Sequence, residues 1–454
     1  MIGLTSGPKD EVELKKFLDE LENGLENIEK EYGETLWKKY LRETCDDLEA
    51  IERKRSEIIL NNQHFGIVRE WKTKARNQIL SKRLLGLERI FLRERVEAMP
   101  DVSFVRNRII EQHIAFRPVV MGKQMDRADV DEILRKEPDA SKRKVAWESF
   151  SEYSQKVEKE VVKLIKLRNK YAQQLGYKTF VDYSLSQNLV DSSELLKLFK
   201  ELDELTEPAI GVVLDETKQK LRISQLEPWD VFYVMDQFVS PPDKYFPKEL
   251  ILSKIESLVR SLGVDPERLP ILIKQADIPF AGICFPIKIP TDMRILVNPR
   301  DGHRFYKTLF HEYGHALHGC FINQPSYALK VEVGCFAEGT ARIIDQFTSD
   351  YAWLRENTPM SDHETRRFVK AQKALRLLRI RNFIGTSIFE YKAYENPDED
   401  LNKLFSKVWS KYMFVCENET PKWASEAAFA TNPIYLQNYV LAEMILSLIH
   451  ISEP

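Results

Sequence analysis

The stretch KTLFHEYGHALHG, residues 307–319, contains the pattern that decides the fold and chemistry of this chain. At its centre is the motif H-E-x-x-H, in which His311 and His315 are four residues apart. Four residues make slightly more than one helical turn, so both imidazoles lie on one face, about 6 Å apart along the axis, and can reach one ion. Glu312 can reach a water molecule on that ion. The pattern therefore predicts a helix that supplies two zinc ligands and a general base.

A catalytic zinc site needs a third protein ligand and an open coordination position. Two acids follow the motif, Glu332 and Glu338. Glu338 comes 23 residues after His315, which leaves room for a loop and an antiparallel helix, and it begins a stretch of helical periodicity. Glu338 is therefore the favoured ligand, and Glu332, which precedes Gly334 in the connection, is the alternative. Asp345 lies on the same face as Glu338, where it either orients a metal-bound histidine or forms an ordinary salt bridge.

His318 lies on the same helical face as His311 but two turns further on, about 10 Å along the axis, so a straight helix cannot bring both to one ion. We expect His318 to line the substrate pocket instead. Cys320 and Cys335 flank the motif, but their spacing matches no zinc-binding pair of cysteines. They are predicted to be small buried side chains.

Two tyrosines near the end of the chain are candidates to stabilise an oxyanion. Tyr435 and Tyr439, in NPIYLQNYVLAEM (432–444), are four residues apart and share a face if a helix begins with Asn432 as its N-cap and Pro433 in its first turn. Water attack on an amide creates an oxyanion, and one positioned donor contributes about 2.7–4 kcal/mol to its stabilisation. The alternative is that both phenols are core residues with wet tips.

The segment FAGICFPIKIPTDMRILV, residues 280–297, has the alternation of a β-hairpin. Its first strand precedes the zinc helix and is predicted to bind an extended substrate by strand addition, through Gly282, Ile283 and Cys284. Gly282 would allow a close approach of the substrate backbone. A purely structural hairpin is the alternative.

The composition excludes several classes of function. The net charge is −3 with 30% charged residues, so the sequence predicts no nucleic-acid partner and no attraction to an anionic membrane. No apolar run reaches the length of about 18 residues that spans a bilayer. Five scattered cysteines predict reduced thiols and a cytoplasmic location.

Three regions are expected along the chain. Residues 1–150 form an N-terminal helical region, in which 9–96 are predicted to be long amphipathic helices packed as a hairpin. Residues 151–445 form the catalytic helical region, with a helix pair over 192–221. The end of the chain, LSLIHISEP, residues 446–454, reads as a translated sequencing adapter, so we expect it to be non-native and the genuine sequence to stop inside a helix.

KTLFHEYGHALH, the following AEG (337–339) and PIYLQNYVLAE (433–443) together resemble the helical zinc peptidases, which include thimet oligopeptidase, oligoendopeptidase F and, more distantly, angiotensin-converting enzyme. Residues 164–185 and 226–233 also resemble segments of the oligoendopeptidases. The resemblance implies a mainly α, prolate fold divided by a deep substrate channel, with a small β-hairpin or sheet beside the zinc helix and a possible lid formed by the first helices.

The resemblance also implies roles for the candidate residues. One Zn²⁺ would be held by His311, His315 and Glu338, with Glu312 as the base and Tyr439, together with Tyr435, as the oxyanion donors. These families usually place a substrate-binding histidine several residues before the tyrosines, whereas residues 421–432 contain none. His303 and His318 are the candidates to contact substrate in its place.

The function predicted from the sequence is zinc-dependent hydrolysis of short peptides, as in an oligoendopeptidase. One alternative is a metallocarboxypeptidase or dipeptidyl-carboxypeptidase of the same fold, which needs a cation for the terminal carboxylate; Arg294, Arg300 and Arg342 are available. A second is a catalytically weak peptide-binding homologue. The third, a helical scaffold without metal, requires a chance H-E-x-x-H pattern, expected in about one such chain in a hundred. No oligomeric state is predicted.

Overall fold

The computed structural model describes residues 7–237, 241–276, 278, 281–420 and 422–451. Helices make up 72% of the structure, which confirms the predicted mainly α fold. None of the helices in the described ranges is long and apolar enough to cross a bilayer. Within the predicted adapter tail, residues 446–451 continue the last helix, and 452–454 lie outside the described residues, as does residue 280 of the predicted hairpin.

The N-terminal region is a set of short and long helices rather than the single hairpin predicted for residues 9–96. The first turns of α1 to α4 are each capped by an Asp or Asn side chain that accepts hydrogen bonds from backbone N–H groups. Their apolar faces form one cluster, which also includes Ala328. The helices are α1 (Glu11–Tyr40), α2 (Leu48–Ile59), α3 (Asn62–Lys74), α4 (Gln78–Arg95) and α5 (Pro100–Ala115).

The middle of the chain corrects the prediction of a helix pair over residues 192–221. This segment is one continuous helix, α10, with Pro208 inside it. Proline removes one N–H donor, but apolar residues on both sides of Pro208 are buried, so packing keeps the two halves in one helix. The elements here are β1 (Val119–Val120), β2 (Lys123–Gln124), α6 (Arg127–Lys136), α7 (Ala140–Glu148), α8 (Ser151–Gln174), α9 (Phe180–Gln187), α10 (Ser192–Leu221), α11 (Val231–Gln237) and α12 (Ile251–Ser261).

A three-stranded sheet lies beside the helix that contains the H-E-x-x-H motif. Its strands are β3 (Ile271–Gln275), β4 (Gly282–Lys288) and β5 (Asp292–Val297), in the order β3-β5-β4. The antiparallel pair β4–β5 is the predicted hairpin. Strand β3, which pairs in parallel with β5, was not predicted. In this sheet β4 is an outer strand.

The last part of the chain is helical and corrects the predicted start of the final helix. That helix, α20, begins at Gln437, not at Pro433, because Asn432 ends a short preceding helix and Ile434 adopts a left-handed conformation with φ 53°. The helices are α13 (His303–Phe321), α14 (Tyr327–Lys330), α15 (Gly334–Gln346), α16 (Tyr351–Asn357), α17 (Asp362–Glu395), α18 (Leu401–Met413), α19 (Ala428–Thr431) and α20 (Gln437–Ile451).

Helices α13 and α15 cross at very short range where Gly314 meets Ala341. A Cβ atom placed on Gly314 would lie 2.7 Å from the Cα atom and 2.9 Å from the carbonyl oxygen of Ala341. Real side chains do not tolerate such a separation from backbone atoms, so this crossing requires glycine. It brings the middle of α15 against the middle of α13.

We expect Gly314→Ala to lower the free energy of unfolding by about 1–3 kcal/mol, because the added methyl group forces α13 and α15 apart. The matched control is Gly211→Ala on α10, where a Cβ atom would meet nothing within 4 Å. That change should stabilise the protein by about 0.4–1 kcal/mol. Chemical denaturation of both variants measures the difference; equal midpoints would contradict the close crossing.

Candidate metal centre

His311, His315 and Glu338 converge where α13 and α15 cross. The Nε2 atoms of the two histidines are 3.2 Å apart, and Oε2 of Glu338 lies 3.3 Å from the first and 3.9 Å from the second. With ligand bonds of about 2.0–2.1 Å, the donors around a tetrahedral zinc ion are roughly 3.3–3.4 Å apart. The three atoms therefore have the spacing of one triangular face of such a site.

The Glu338 carboxylate fits a bound cation. Its side chain is buried, and Oε1 accepts a 2.6 Å hydrogen bond from the Tyr435 hydroxyl. Oε2 has no hydrogen-bond donor among the described residues. A buried acceptor without a partner costs about 1–3 kcal/mol, and a metal ion at this point would satisfy it. Burial opposes ionisation, but the neighbouring His311 and His315 side chains hold the pKa of Glu338 below its ordinary value.

Asp345 orients the first histidine. Its Oδ2 atom is 3.0 Å from Nδ1 of His311, and the side chain is 1% exposed. Burial raises the pKa of Asp345, but the charges of Lys307 and Arg342 and the hydrogen bond with His311 outweigh it, so this pKa lies well below its usual range. An ionised Asp345 accepts a hydrogen bond from Nδ1–H of His311, which leaves the unprotonated Nε2 atom available to bind a metal ion. The predicted orienting contact and a salt bridge are therefore both present.

Strand β4 passes directly over Glu312. A Cβ atom on Gly282 would lie 3.2 Å from Cγ of Glu312, and the backbone N–H of Cys284 donates to the Glu312 carboxylate. Burial and the charge of Glu338 raise the pKa of Glu312 to about 7, although the charge of His311 opposes the shift. A carboxylate with a pKa near neutrality is suited to accept and return a proton. Burial and the charge of Glu312 also raise the pKa of the Cys284 thiol well above its ordinary value.

The three predicted residues of β4 do not face the same way. Asn298 donates its backbone N–H to the carbonyl of Ala281, so the backbone groups of residues 281 and 283 point to β5, while those of 282 and 284 point to the outer edge. Gly282 can therefore meet an added strand, and so can the carbonyl of Cys284, whose N–H donates to Glu312. The prediction is wrong for Ile283, whose side chain packs against the apolar cluster around Trp37.

The two tyrosines have different contacts, and they do not share one helix, which corrects the prediction of a common helical face. Tyr435 precedes α20, and its hydroxyl is bound to Glu338. The Tyr439 ring stacks on Phe383 with 4.9 Å between centroids. Burial and the charges of Glu338 and Glu312 raise the pKa of Tyr439 far above its ordinary value, so its hydroxyl lies near both carboxylates and keeps its proton.

The two remaining histidine candidates are also separated. His303 is buried between the rings of Phe246 and Phe368, with Nε2 3.0 Å from the carbonyl of Thr348, and burial lowers its pKa to about 3. It is a core residue, so its predicted contact with substrate is wrong. His318 is partly exposed, and its Nε2 atom is 2.8 Å from Oε2 of Glu332, which explains why Glu332 is not the third acid of the triad.

Several residues that surround the centre were not predicted from the sequence. Gly314 is visible inside the motif, but its role depends on a contact with α15 that the sequence does not indicate. Lys307 lies one turn before His311, so its spacing could have placed it on the same helical face. Glu443 pairs with Arg342 from a distant helix, and no local signal indicates that pair.

Comparisons with known proteins bear on the fold and the family resemblance. The model of Peptidase family M3 matches residues 133–253, a segment that ends before α13, so the match is independent of the triad. A solved structure of PZ peptidase A with an inhibitor superimposes with a TM-score of 0.65 at 15% identity, covering 98% of this chain and 88% of its own. The structure of a putative oligoendopeptidase F superimposes with a TM-score of 0.61 at 13% identity, covering 99% of this chain and 89% of its own. No curated protein sequence matches the chain.

The chain is thus a peptidase with the helical fold of the M3 metallopeptidases. The matched segment and the solved structures also support the resemblance to the oligoendopeptidase group that the sequence motifs indicated.

We expect Asp345→Asn to weaken metal binding about 10- to 100-fold, because the neutral amide holds the Nδ1–H group of His311 less firmly and makes the ligand less basic. Asp215→Asn, on the exposed face of α10, is the control and should bind metal as the wild type does. Competition with a chromophoric chelator measures both affinities. Unchanged affinity in Asp345→Asn would show that this carboxylate does not support a ligand.

Proposed function

We propose that this metallopeptidase is a zinc-dependent oligopeptidase that cleaves peptide bonds within short peptides. One Zn²⁺ is held by His311, His315 and Glu338, and Glu312 is the general base. The observation that carries the proposal is the convergence of the three ligand atoms, with an unpartnered buried oxygen on Glu338, beside a second carboxylate of raised pKa.

The side chains around the site fit the requirements of amide hydrolysis. A zinc ion held by this triad supplies an acidified water molecule and a polarised substrate carbonyl. Glu312 accepts the proton of the attacking water and delivers it to the leaving amine. The protonated Tyr439 hydroxyl donates a hydrogen bond to the oxyanion, while Tyr435 holds the Glu338 carboxylate in place.

Substrate is held in extended form along the outer edge of β4. The backbone groups of Gly282 point to that edge, and its missing side chain leaves the space above Glu312 open. Main-chain hydrogen bonds of this kind bind peptides with little regard to sequence. His318, partly exposed beyond His315, is a further candidate contact.

The alternative of carboxypeptidase action needs a cation that is free to meet a terminal carboxylate. Arg294 is 2.6 Å from Asp292, and Arg342 pairs with Glu443, so both are engaged. Arg300 is exposed in the loop before α13. We therefore favour internal cleavage over trimming by these arginines, and the weak peptide-binding homologue remains the competing class.

The division into an N-terminal region, residues 1–150, and a catalytic region, 151–445, is part of the proposal. Helix α4 contacts α14, where a Cβ atom on Gly86 would lie 2.5 Å from the carbonyl oxygen of Ala328. The first helices are thus seated against the segment that follows the zinc helix, which is where a lid would close. A cytoplasmic location stays a prediction; all five cysteines are free thiols, as expected.

Glu312→Gln should abolish peptide hydrolysis, because the amide cannot accept a proton from water. One zinc ion should stay bound per chain, because residue 312 is not one of the proposed metal ligands. Elemental analysis and mass spectrometry of a mixed peptide library measure the two effects. Glu256→Gln, on the exposed face of α12, is the control and should retain activity. A wild type with bound zinc that cleaves nothing would favour the peptide-binding homologue, and release of single C-terminal residues would favour a carboxypeptidase.

Tyr439→Phe should lower kcat by about 10²–10³-fold with little change in KM, because the hydroxyl acts on the oxyanion and not on the bound substrate. The ring stack on Phe383 remains in the variant. Tyr171→Phe is the control, since it also removes a hydroxyl that donates to a carboxylate, that of Asp101 at 2.9 Å. Steady-state kinetics on one cleaved peptide measure both; an unchanged kcat in Tyr439→Phe would exclude this role.

A further inference from the structure

Lys307 lies one helical turn before His311, on the face of α13 that carries both zinc-binding histidines. Its Nζ atom is 3.7 Å from Oδ1 of Asp345, and no hydrogen bond joins it to any other described residue. Burial, together with the charges of Arg379 and Arg342, lowers the pKa of Lys307 to about 7 despite the opposing charge of Asp345. The Lys307 side chain, 18% exposed, thus shares the acid Asp345 with His311 and Arg342.

Arg379 on α17 faces the same space. It lies three residues after Arg376, which pairs with Glu443, and four before Phe383, which stacks on Tyr439. Residues at these spacings share a helical face, so Arg379 lies between the two contacts, toward the metal centre. Burial lowers the pKa of Arg379, as does the charge of Arg342, and the charge of Asp345 opposes them. No hydrogen bond or ion pair joins Arg379 to a residue of the described ranges.

Positive charge exceeds negative charge at this point. Four basic side chains, Lys307, Arg342, Arg376 and Arg379, lie around two acids, Asp345 and Glu443, so basic groups outnumber these acids by two. Glu443 is taken by Arg342 and Arg376, and Asp345 is shared by His311 and Arg342. The nearby acid Asp236 has its own partner in Arg135, at 3.8 Å. Buried cations that lack a partner are stabilised when an anion binds.

We propose that Lys307 and Arg379 form a subsite for a carboxylate of the peptide substrate, beside the zinc site and toward the start of α13. The proposal rests on the peptidase function proposed above. A guanidinium group binds a carboxylate through two parallel hydrogen bonds, and the lysine adds a third donor.

The position of the subsite limits which carboxylate it takes. One helical turn is about 5.4 Å, and an extended peptide advances about 3.3–3.6 Å per residue. The carboxylate therefore lies within about two residues of the scissile bond. It is either the C-terminal carboxylate of the peptide or the side chain of an Asp or Glu residue. The substrate class is thus short peptides that carry a negative charge close to the cleaved bond.

The test uses one peptide whose cleavage site in the wild type has been located by mass spectrometry. It is made in matched pairs: free acid against amide at a C-terminus two residues past the bond, and Glu against Gln within two residues on either side, with an amidated end. We expect the wild type to prefer one carboxylate form by at least about tenfold in kcat/KM. The acid–amide pair identifies a terminal carboxylate, and the Glu–Gln pair identifies a side chain.

In Arg379→Gln this preference should fall to about one through a higher KM for the charged peptide, while kcat/KM for the neutral peptide stays within about twofold of the wild type. Arg379→Lys should restore part of the preference, because charge returns without the paired donors. Lys307→Met should reduce the preference less than Arg379→Gln does. Arg367→Gln, an exposed position on the same helix, is the matched control and should leave the preference unchanged.

A wild type that cleaves charged and neutral peptides equally in both pairs overturns the proposal. Equal losses on both peptides in Arg379→Gln also overturn it, because they indicate a structural role. If the wild type cleaves no peptide, the proposed function fails, and the subsite is then decided by calorimetry with acid–amide and Glu–Gln pairs of one short peptide that the protein binds. Tighter binding of the charged form that Arg379→Gln removes supports the subsite, and equal binding overturns it.

Discussion

The missing side chain of Gly314 sets the distance between the two helices on which the site depends. Helix α13 carries both imidazoles and the base, and α15 carries Glu338 and Asp345. Because Gly314 lies against the Ala341 backbone, both carboxylates of α15 reach the same histidine from opposite ends of its ring. A bulkier residue at this crossing would move both carboxylates away together, so one contact controls both the donor set and its orientation.

The polar groups around the triad form one connected network in which few positions can change alone. Asp345 links His311 to Lys307 and Arg342, and Arg342 links onward to Glu443 on α20. Tyr435 ties the loop before α20 to Glu338. Buried charges are tolerable only when they have partners. Among the described residues, Oε2 of Glu338, Oδ1 of Asp345 and Nε of Arg342 have no hydrogen bond. The proposed metal ion would supply a partner to the first of these atoms, and the proposed substrate carboxylate would supply one to Lys307 and Arg379.

Patterns confined to one element were predictable from the sequence, and contacts between distant elements were not. The four-residue spacing of His311 and His315 placed them on one face, and alternation around Phe285 identified the hairpin. The predicted start of α20 was wrong. Asn432 and Pro433 carry a capping signal, but the chain instead forms a turn in which the backbone N–H of the buried Ile434 donates to Glu390. His303 was misassigned because a lone histidine carries no sign of whether its surroundings are solvent or core. The possible role of Lys307 and Arg379 could be inferred only from the structure, which shows how few acidic side chains lie near them.

The cysteine beside the base has a consequence for the chemical durability of the site. The sulfur of Cys284 is next to Glu312, and burial with that neighbouring negative charge keeps it in the thiol form. Oxidants and alkylating agents attack the thiolate, so this sulfur is a poor target despite its place at the reacting centre. A soft anionic sulfur would also compete with the histidines for the proposed zinc ion, and keeping the proton on Cys284 removes that competitor. Resistance to peroxide would thus come from Glu312, the carboxylate that we propose as the base.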